Sequence, residues 1–314
     1  MLIIEWSKKM RNKRAITFEN IAYEWLDERK KTVKKSTYSN YKYMVDRYIA
    51  TKLGKLRLSK LEKYDFNEFV KELNEDYSTK TVRDIIVILK SILTYGENEH
   101  NLRLKRKKII SPKPDSEPII IFSKREINRL EKCCLKENTL KSLGIIICLN
   151  TGLRIGEICA LKWKNIDLEK REIKVKQTLQ RIYDDKTEKT TIQIDTPKSK
   201  KSVRNIPISN KVYEILVPLK KKYNDEDFFL SGDSEKFIEP RNYQNTFKEI
   251  LKKSKIKTSY KFHTLRHTCA TNCIEVGMDV KSLSEILGHA NIQITLDKYV
   301  HSSYKTKKKY LEKL

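Results

Sequence analysis

Apolar residues recur at helical spacing through most of the first hundred positions. TFENIAYEWLDER opens with Thr17 as an N-cap and places Ile21 and Trp25 on one face. STYSNYKYMVDRYI aligns Tyr38, Tyr41, Val45 and Tyr48 along one side. Such a stripe among lysines could stack nucleobases, but core packing is the simpler reading, with the cations facing solvent or phosphate. A third helix is expected over 59 to 73, and a fourth in STKTVRDIIVILKSILTYGE. Together these predict a compact four-helix unit over 17–102, preceded by a basic arm or tether at 1–16.

The pattern then breaks. RLKRKKIISPKPDSEP, 103–118, packs five cations into six positions, follows them with three prolines and has no helical period. It reads as a linker. Helical spacing returns in FSKREINRLEKCC, where Ser123 and Glu126 stand at capping-box distance, and in LKSLGIIICLNTG, a buried helix ending at Gly152. Runs rich in β-branched residues follow, REIKVKQTL, TTIQIDT and VRNIPI, then helices near 209–222, 240–253, 264–276 and 279–288. Helices around one small antiparallel sheet make the second domain α+β, over 119–301, with a short amphipathic tail helix at 302–314.

Charge narrows the partner. Among 314 residues, 67 Lys and Arg against 41 Asp and Glu give a formal net charge of +26, a field that favours a polyanion, most simply nucleic acid. A membrane surface is the competing partner, but no apolar run approaches the roughly 18 residues that span a bilayer. MLIIEWSKK is too short for a signal peptide. The six cysteines lack metal-ligand spacing, so buried thiols in a reducing cytoplasm are expected rather than disulfides or zinc. The basic residues Lys34, Lys35, Lys42, Arg47, Arg103, Lys105, Arg106, Lys107 and Lys108 are candidate backbone contacts for DNA.

Candidate chemistry lies in four stretches. In TGLRIGEICALKW, Arg154 and Glu157 are three apart, so the carboxylate can orient the guanidinium fork toward a phosphate. In DTPKSKKSVRNIPI, Lys198 sits in a polar turn, with Lys200 and Lys201 as rivals. In HTLRHTCATNCIEVG, His263 and Arg266 share the start of a helix, where anions are favoured, and His267 reads as a structural neighbour. In LGHANIQITLDKYVH, His289 follows a helix-ending glycine and Tyr299 lies ten residues on. Each signal alone has a bland explanation: a surface ion pair, one lysine of many, a capping histidine, a core tyrosine. Walker A and GxGxxG loops are absent, and no carboxylate cluster would hold two metals, so phosphate chemistry here would rest on side chains.

Taken in order, Arg, Lys, His-x-x-Arg, His and Tyr, each within its own local motif, resemble the tyrosine recombinase (phage integrase) family over about residues 119 to 301. Integrases of conjugative transposons and phages of Gram-positive bacteria look most similar. The resemblance implies a four-helix, SAM-like core-binding domain and a catalytic domain closing as a C-shaped clamp on double-stranded DNA. It implies that Tyr299 attacks the scissile phosphate to form a 3′-phosphotyrosyl link, without metal, ATP or any cofactor. Arg154 and Arg266 would clamp the non-bridging oxygens, and Lys198 would protonate the leaving 5′ oxygen. His263 would help take the phenol proton, His289 would hydrogen-bond the phosphate, and Glu157 would support Arg154. The family works as a homotetramer on two duplexes, with accessory directionality or host DNA-bending proteins as further partners. Docking of the tail in cis or on a neighbour stays open. A type IB topoisomerase-like enzyme and a non-catalytic DNA-binding protein on the same fold are the alternatives. One departure stands out: such integrases usually carry an arm-binding domain ahead of the core-binding one, and about 16 residues precede the first helix here. Either this is a simpler recombinase or the chain begins at a tether.

Overall fold

The computed structural model describes residues 16–104, 109–114, 119–184, 189–195, 202–299 and 312. The chain divides into two compact units, Met1–Glu117 with Ile182–Thr191, and Pro118–Arg181 with Ile192–Leu314.

The first unit is helical. Helix α1 (Phe18–Thr32) begins at a capping box in which Thr17 and Asn20 satisfy each other's backbone N–H groups. It buries Phe18, Ile21, Ala22, Trp25 and Leu26. Helix α2 (Lys35–Met44) runs through a π turn (Val45–Ile49) into α3 (Ala50–Leu53). The tyrosine stripe is core: Tyr38 and Val45 are buried, Tyr41 and Tyr48 pack against the same cluster, and the Tyr41 ring lies 5.3 Å from that of Trp25. The helix expected over 59 to 73 is instead two, α4 (Leu58–Leu61) and α5 (Phe66–Asp76). The division falls at Asp65, whose carboxylate accepts from the Asn67 N–H at 3.1 Å and starts the second helix. Helix α6 (Thr79–His100) completes the unit, capped by Ser78. Residues 109–114 of the expected linker lie along it. Arg83 Nη1 donates to the Pro112 carbonyl at 2.7 Å, and the Ile110 N–H to Asn67 Oδ1 at 2.9 Å.

In the second unit, α7 (Lys124–Glu137) starts at the Ser123–Glu126 capping box. Helix α8 (Leu140–Thr151) is apolar all round and buried, as a helix enclosed by others must be. A short α9 (Ile155–Cys159) follows. The strands are β1 (Ile166–Asp167), β2 (Glu172–Val175), β3 (Thr178–Asp184), β4 (Lys189–Asp195) and β5 (Arg204–Pro207), the end of β3 from Ile182 and the start of β4 up to Thr191 belonging to the first unit. They form two small sheets, not the single one expected. β5 returns antiparallel beside β2, pairing Ile206 with Ile173, in the order β1-β2-β5, and leaves β3 and β4 as a separate two-stranded ribbon. Helices α10 (Asn210–Lys220), α11 (Pro240–Lys253), α12 (His263–Glu275), α13 (Val280–Leu287) and α14 (Gln293–Tyr299) complete the unit.

A large core gathers around α8, and a smaller cluster of Ala270, Leu283, Leu287 and Tyr299 joins α12, α13 and α14. All six cysteines are free thiols. Among the described residues no helix is long and apolar enough to cross a membrane.

Candidate active site

Two helix ends frame the site. Helix α8 stops where Gly152 turns left-handed, at φ 67°, and its N–H reaches the Cys148 carbonyl at 2.9 Å. A Cβ there would stand 2.7 Å from Leu287 Cδ2, so the turn needs glycine for both conformation and space. Two residues later Arg154 becomes the N-cap of α9. Glu157 accepts from its backbone N–H at 2.9 Å and from Nη1 at 2.8 Å. Helix α13 likewise ends at a left-handed glycine, Gly288, at φ 66°. A Cβ at Gly288 would meet Arg204 Cδ at 3.0 Å.

That second helix end organises the cations. The carbonyls of Ile286, Leu287 and Gly288 accept in turn from Arg204 Nε, Arg266 Nη2 at 2.7 Å and Arg154 Nη2 at 3.2 Å. Arg266 Nη1 also donates to the Gly152 carbonyl at 2.8 Å. Terminal helix carbonyls carry partial negative charge, which lets three guanidinium groups share a largely buried space. Only 1 % of Arg266 is exposed. Burial and then the nearby Arg154 charge bring its pKa down to about 9, so it is still cationic at neutral pH.

Glu157 is the carboxylate that ties two of these arginines together. Arg204 meets it fork to fork, with Nη1–Oε1 and Nη2–Oε2 both 3.0 Å. Burial pushes the Glu157 carboxyl up, but the hydrogen bonds and charge of Arg204, with Arg154, more than offset this and hold it below the usual carboxylate range. Three guanidinium groups against one carboxylate leave positive charge uncompensated, which suits a phosphodiester.

The imidazoles and the phenol lie beside this cluster. His289 shares a 2.8 Å hydrogen bond between Nδ1 and the fully buried Thr295 hydroxyl. Its ring is parallel to that of Tyr299, with centroids 6.5 Å apart. Burial, then Arg266 and Arg154, pull His289 down to about 3, so it is a neutral donor or acceptor. Tyr299 ends α14 and is 6 % exposed. Burial raises its pKa, while the charges of Arg266 and Arg154 act in the opposite direction. A 2.7 Å hydrogen bond joins its hydroxyl to His267 Nδ1. His263, at the exposed start of the same helix, stands edge-on to His267 with ring centroids 4.6 Å apart.

Arg154, Glu157, His263, Arg266, His289 and Tyr299 are thus carried by α9, α12, α14 and the turns between them. Lys198 and its rivals Lys200 and Lys201 lie outside the described residues, as do the linker cations Lys105, Arg106, Lys107 and Lys108 and all of the tail but residue 312. Lys34 and Lys35 begin α2, Arg47 lies in its π turn, and Arg103 follows α6. Lys42 forms an ion pair with Asp46, 2.6 Å away. Sequence reasoning missed Arg204 and the contact of His267 with the phenol. Both left a trace: Arg204 shares the inward face of β5 with Ile206, an unusual place for a lone cation, and His267 falls one helical turn after His263.

Residues 121–306 match the phage integrase family, and residues 17–74 match the phage integrase N-terminal SAM-like domain. The chain is 31% identical to a tyrosine recombinase XerC-like protein of Caldanaerobacter subterraneus subsp. tengcongensis, over 95% of this chain and 83% of that protein. It is 26% identical to the transposase from transposon Tn916 of Enterococcus faecalis, over 87% and 71%. Its fold is similar to that of the Tn1549 transposon integrase in complex with transposon right end DNA, with TM-score 0.78 and 22% identity over 95% of this chain and 99% of that one. A lambda integrase tetramer bound to a Holliday junction has TM-score 0.63 at 14% identity, covering 92% and 80%. The arginine-rich site and these matches lead to one assignment: the chain belongs to the phage integrase family of tyrosine recombinases.

Proposed function

We propose that this chain is a site-specific recombinase that integrates and excises a mobile element by breaking and rejoining double-stranded DNA. Tyr299 is the nucleophile. Its phenol gives up its proton to a neighbouring imidazole, and the oxygen bonds to the scissile phosphorus as the bond to the 5′ oxygen breaks, leaving a 3′-phosphotyrosyl link. Arg154 and Arg266 hold the non-bridging oxygens and stabilise the charge that builds on them. His289 and His263 add hydrogen bonds, and Lys198 protonates the leaving 5′ oxygen. One phosphodiester is exchanged for another, so the step is close to energy-neutral and reverses when a different 5′-hydroxyl attacks. That reversal is strand exchange. The relatives are recombinases and transposases, which favours exchange over simple relaxation of supercoils. Exchange between two duplexes needs four active sites, and we propose a homotetramer on DNA.

The observation that carries this reading is the convergence, within one chain, of three guanidinium groups from α9, β5 and α12 on a helix end beside a buried phenol. The test is cleavage of a nicked suicide substrate carrying the element's end, followed by mapping of the DNA-linked residue. Tyr299→Phe should bind the DNA normally and form no covalent adduct; an adduct on that variant removes Tyr299 as nucleophile. Affinity should fall steeply with salt, as phosphate contacts dominate. The mass of the assembled complex on two duplexes tests the tetramer.

A further inference from the structure

A phenol must lose its proton to attack phosphorus, and the groups around Tyr299 differ in their capacity to take it. Both Glu157 oxygens are occupied by guanidinium donors, and the carboxyl is held below its usual range, so it is a weak base. The arginines are donors throughout. His289 commits Nδ1 to Thr295 and faces the phenol ring plane to plane. His267 Nδ1 instead stands 2.7 Å from the phenol oxygen itself. Both residues are held by packed elements, His267 in the middle of α12 and Tyr299 in the small core that joins α12 to α14. This contact therefore belongs to the framework of the site.

We propose that His267 is the proton acceptor for Tyr299, a catalytic base in strand cleavage and the acid that returns the proton in rejoining. In cleavage the phenol O–H bond breaks and its proton passes to His267 Nδ1. The oxygen bonds to phosphorus, and the leaving 5′ oxygen takes its proton from the separate acid, Lys198 in the function proposed above. In rejoining, a 5′-hydroxyl returns its proton to Lys198 as its oxygen bonds to phosphorus, the phenolate leaves, and His267 Nδ1–H restores the phenol proton. The charged and titratable groups around His267 are His263 and Arg266 on its own helix, with Lys298 and Tyr299 on α14. Burial, then Lys298 and Arg266, hold the ring below the ordinary imidazole range, so it is neutral and ready to accept at neutral pH. With the phenol raised, transfer is uphill at rest. It becomes favourable as the oxygen bonds to phosphorus and the DNA anion offsets the surrounding cations.

This inference rests on Tyr299 as nucleophile, and the two can fail separately. Single-turnover adduct formation on nicked suicide DNA is measured from pH 5 to 9 for the wild type, His267→Gln, His267→Ala and His263→Ala. Gel shifts confirm that each variant binds DNA. His267→Gln keeps a hydrogen-bond acceptor near the hydroxyl but cannot take its proton. It should be slower by roughly 100- to 10,000-fold, the usual range for losing a general base, and should lose the acid limb of the pH profile. Added imidazole should restore His267→Ala. A bridging 5′ sulfur, which removes the need for a leaving-group acid, should rescue neither variant. His267 variants that cleave at or above the wild-type rate overturn the proposal, as do slow variants that keep the wild-type limb. Tyr299 would still be the nucleophile if the wild-type adduct maps to it; an adduct mapped elsewhere removes both readings.

Discussion

Arg204 and Glu157, 47 positions apart, lie fork to fork with two N–H···O bonds of 3.0 Å, their side chains 6 % and 2 % exposed. Arg204 also reaches the Ile286 and Ser202 carbonyls, so one side chain joins β5 to the start of α9 and the end of α13. Arg204→Met leaves a buried carboxylate with one guanidinium partner in place of two. Stability should fall by about 3 kcal/mol, the lower end for breaking a buried pair, because Arg154 stays in contact. Urea unfolding with an unchanged m-value checks this. Arg204→Lys, which cannot reproduce the fork, should recover only part of the loss.

Arg154→Ala and Arg266→Ala should each slow cleavage by about 3 kcal/mol, as removal of one donor to a developing oxyanion does. Replacing one non-bridging oxygen by methyl removes the phosphate's charge, so the deficit of both variants should narrow on that substrate. An equal deficit on both substrates would mean that the arginines act on folding and not on the phosphate.

Gly152→Ala should cost both stability and rate. The position has φ 67°, and the new Cβ would press on Leu287 at 2.7 Å, beside the carbonyl that Arg266 uses. Strain of this type costs about 1–3 kcal/mol. Because Arg266 rests on Gly152 and Leu287 together, cleavage should drop further than the loss of folded protein explains.

Stability should decline as pH falls from about 6.5 toward 3. The His289 imidazole is held down to about 3 in the folded chain, by burial and then by Arg266 and Arg154. The unfolded chain, with an ordinary imidazole near 6.5, takes up a proton first. Between those limits the unfolded state binds more protons, so stability is fully present above the unfolded value and is lost on acidification. Urea midpoints at pH 7 and 5 should differ less in His289→Asn than in the wild type.

Lys198→Ala should cleave poorly on normal DNA and recover when the 5′ bridging oxygen is replaced by sulfur, a better leaving group. Normal cleavage by Lys198→Ala together with failure of Lys200→Ala would reassign the acid to Lys200.

What the chain order determines by itself is local. Ser123 and Glu126 form a capping box, Arg154 and Glu157 touch, and Ile21 and Trp25 share a buried face, because neighbours three or four residues apart meet on any helix. Asp65 shows the limit of spacing even at short range: apolar periodicity ran across it, and a side-chain cap decided that two helices form. The return of β5 to β2, which splits the strands into two sheets, depends on which distant edge is free to pair, and periodicity carries no such information. Tertiary structure alone decides that three successive carbonyls of α13 divide among three arginines, that Arg204 shares Glu157 with Arg154, and that His267 meets the phenol. Those contacts join residues 21 to 134 positions apart. Their distances follow from how helices pack and where they end, so composition named the cations and packing chose their partners.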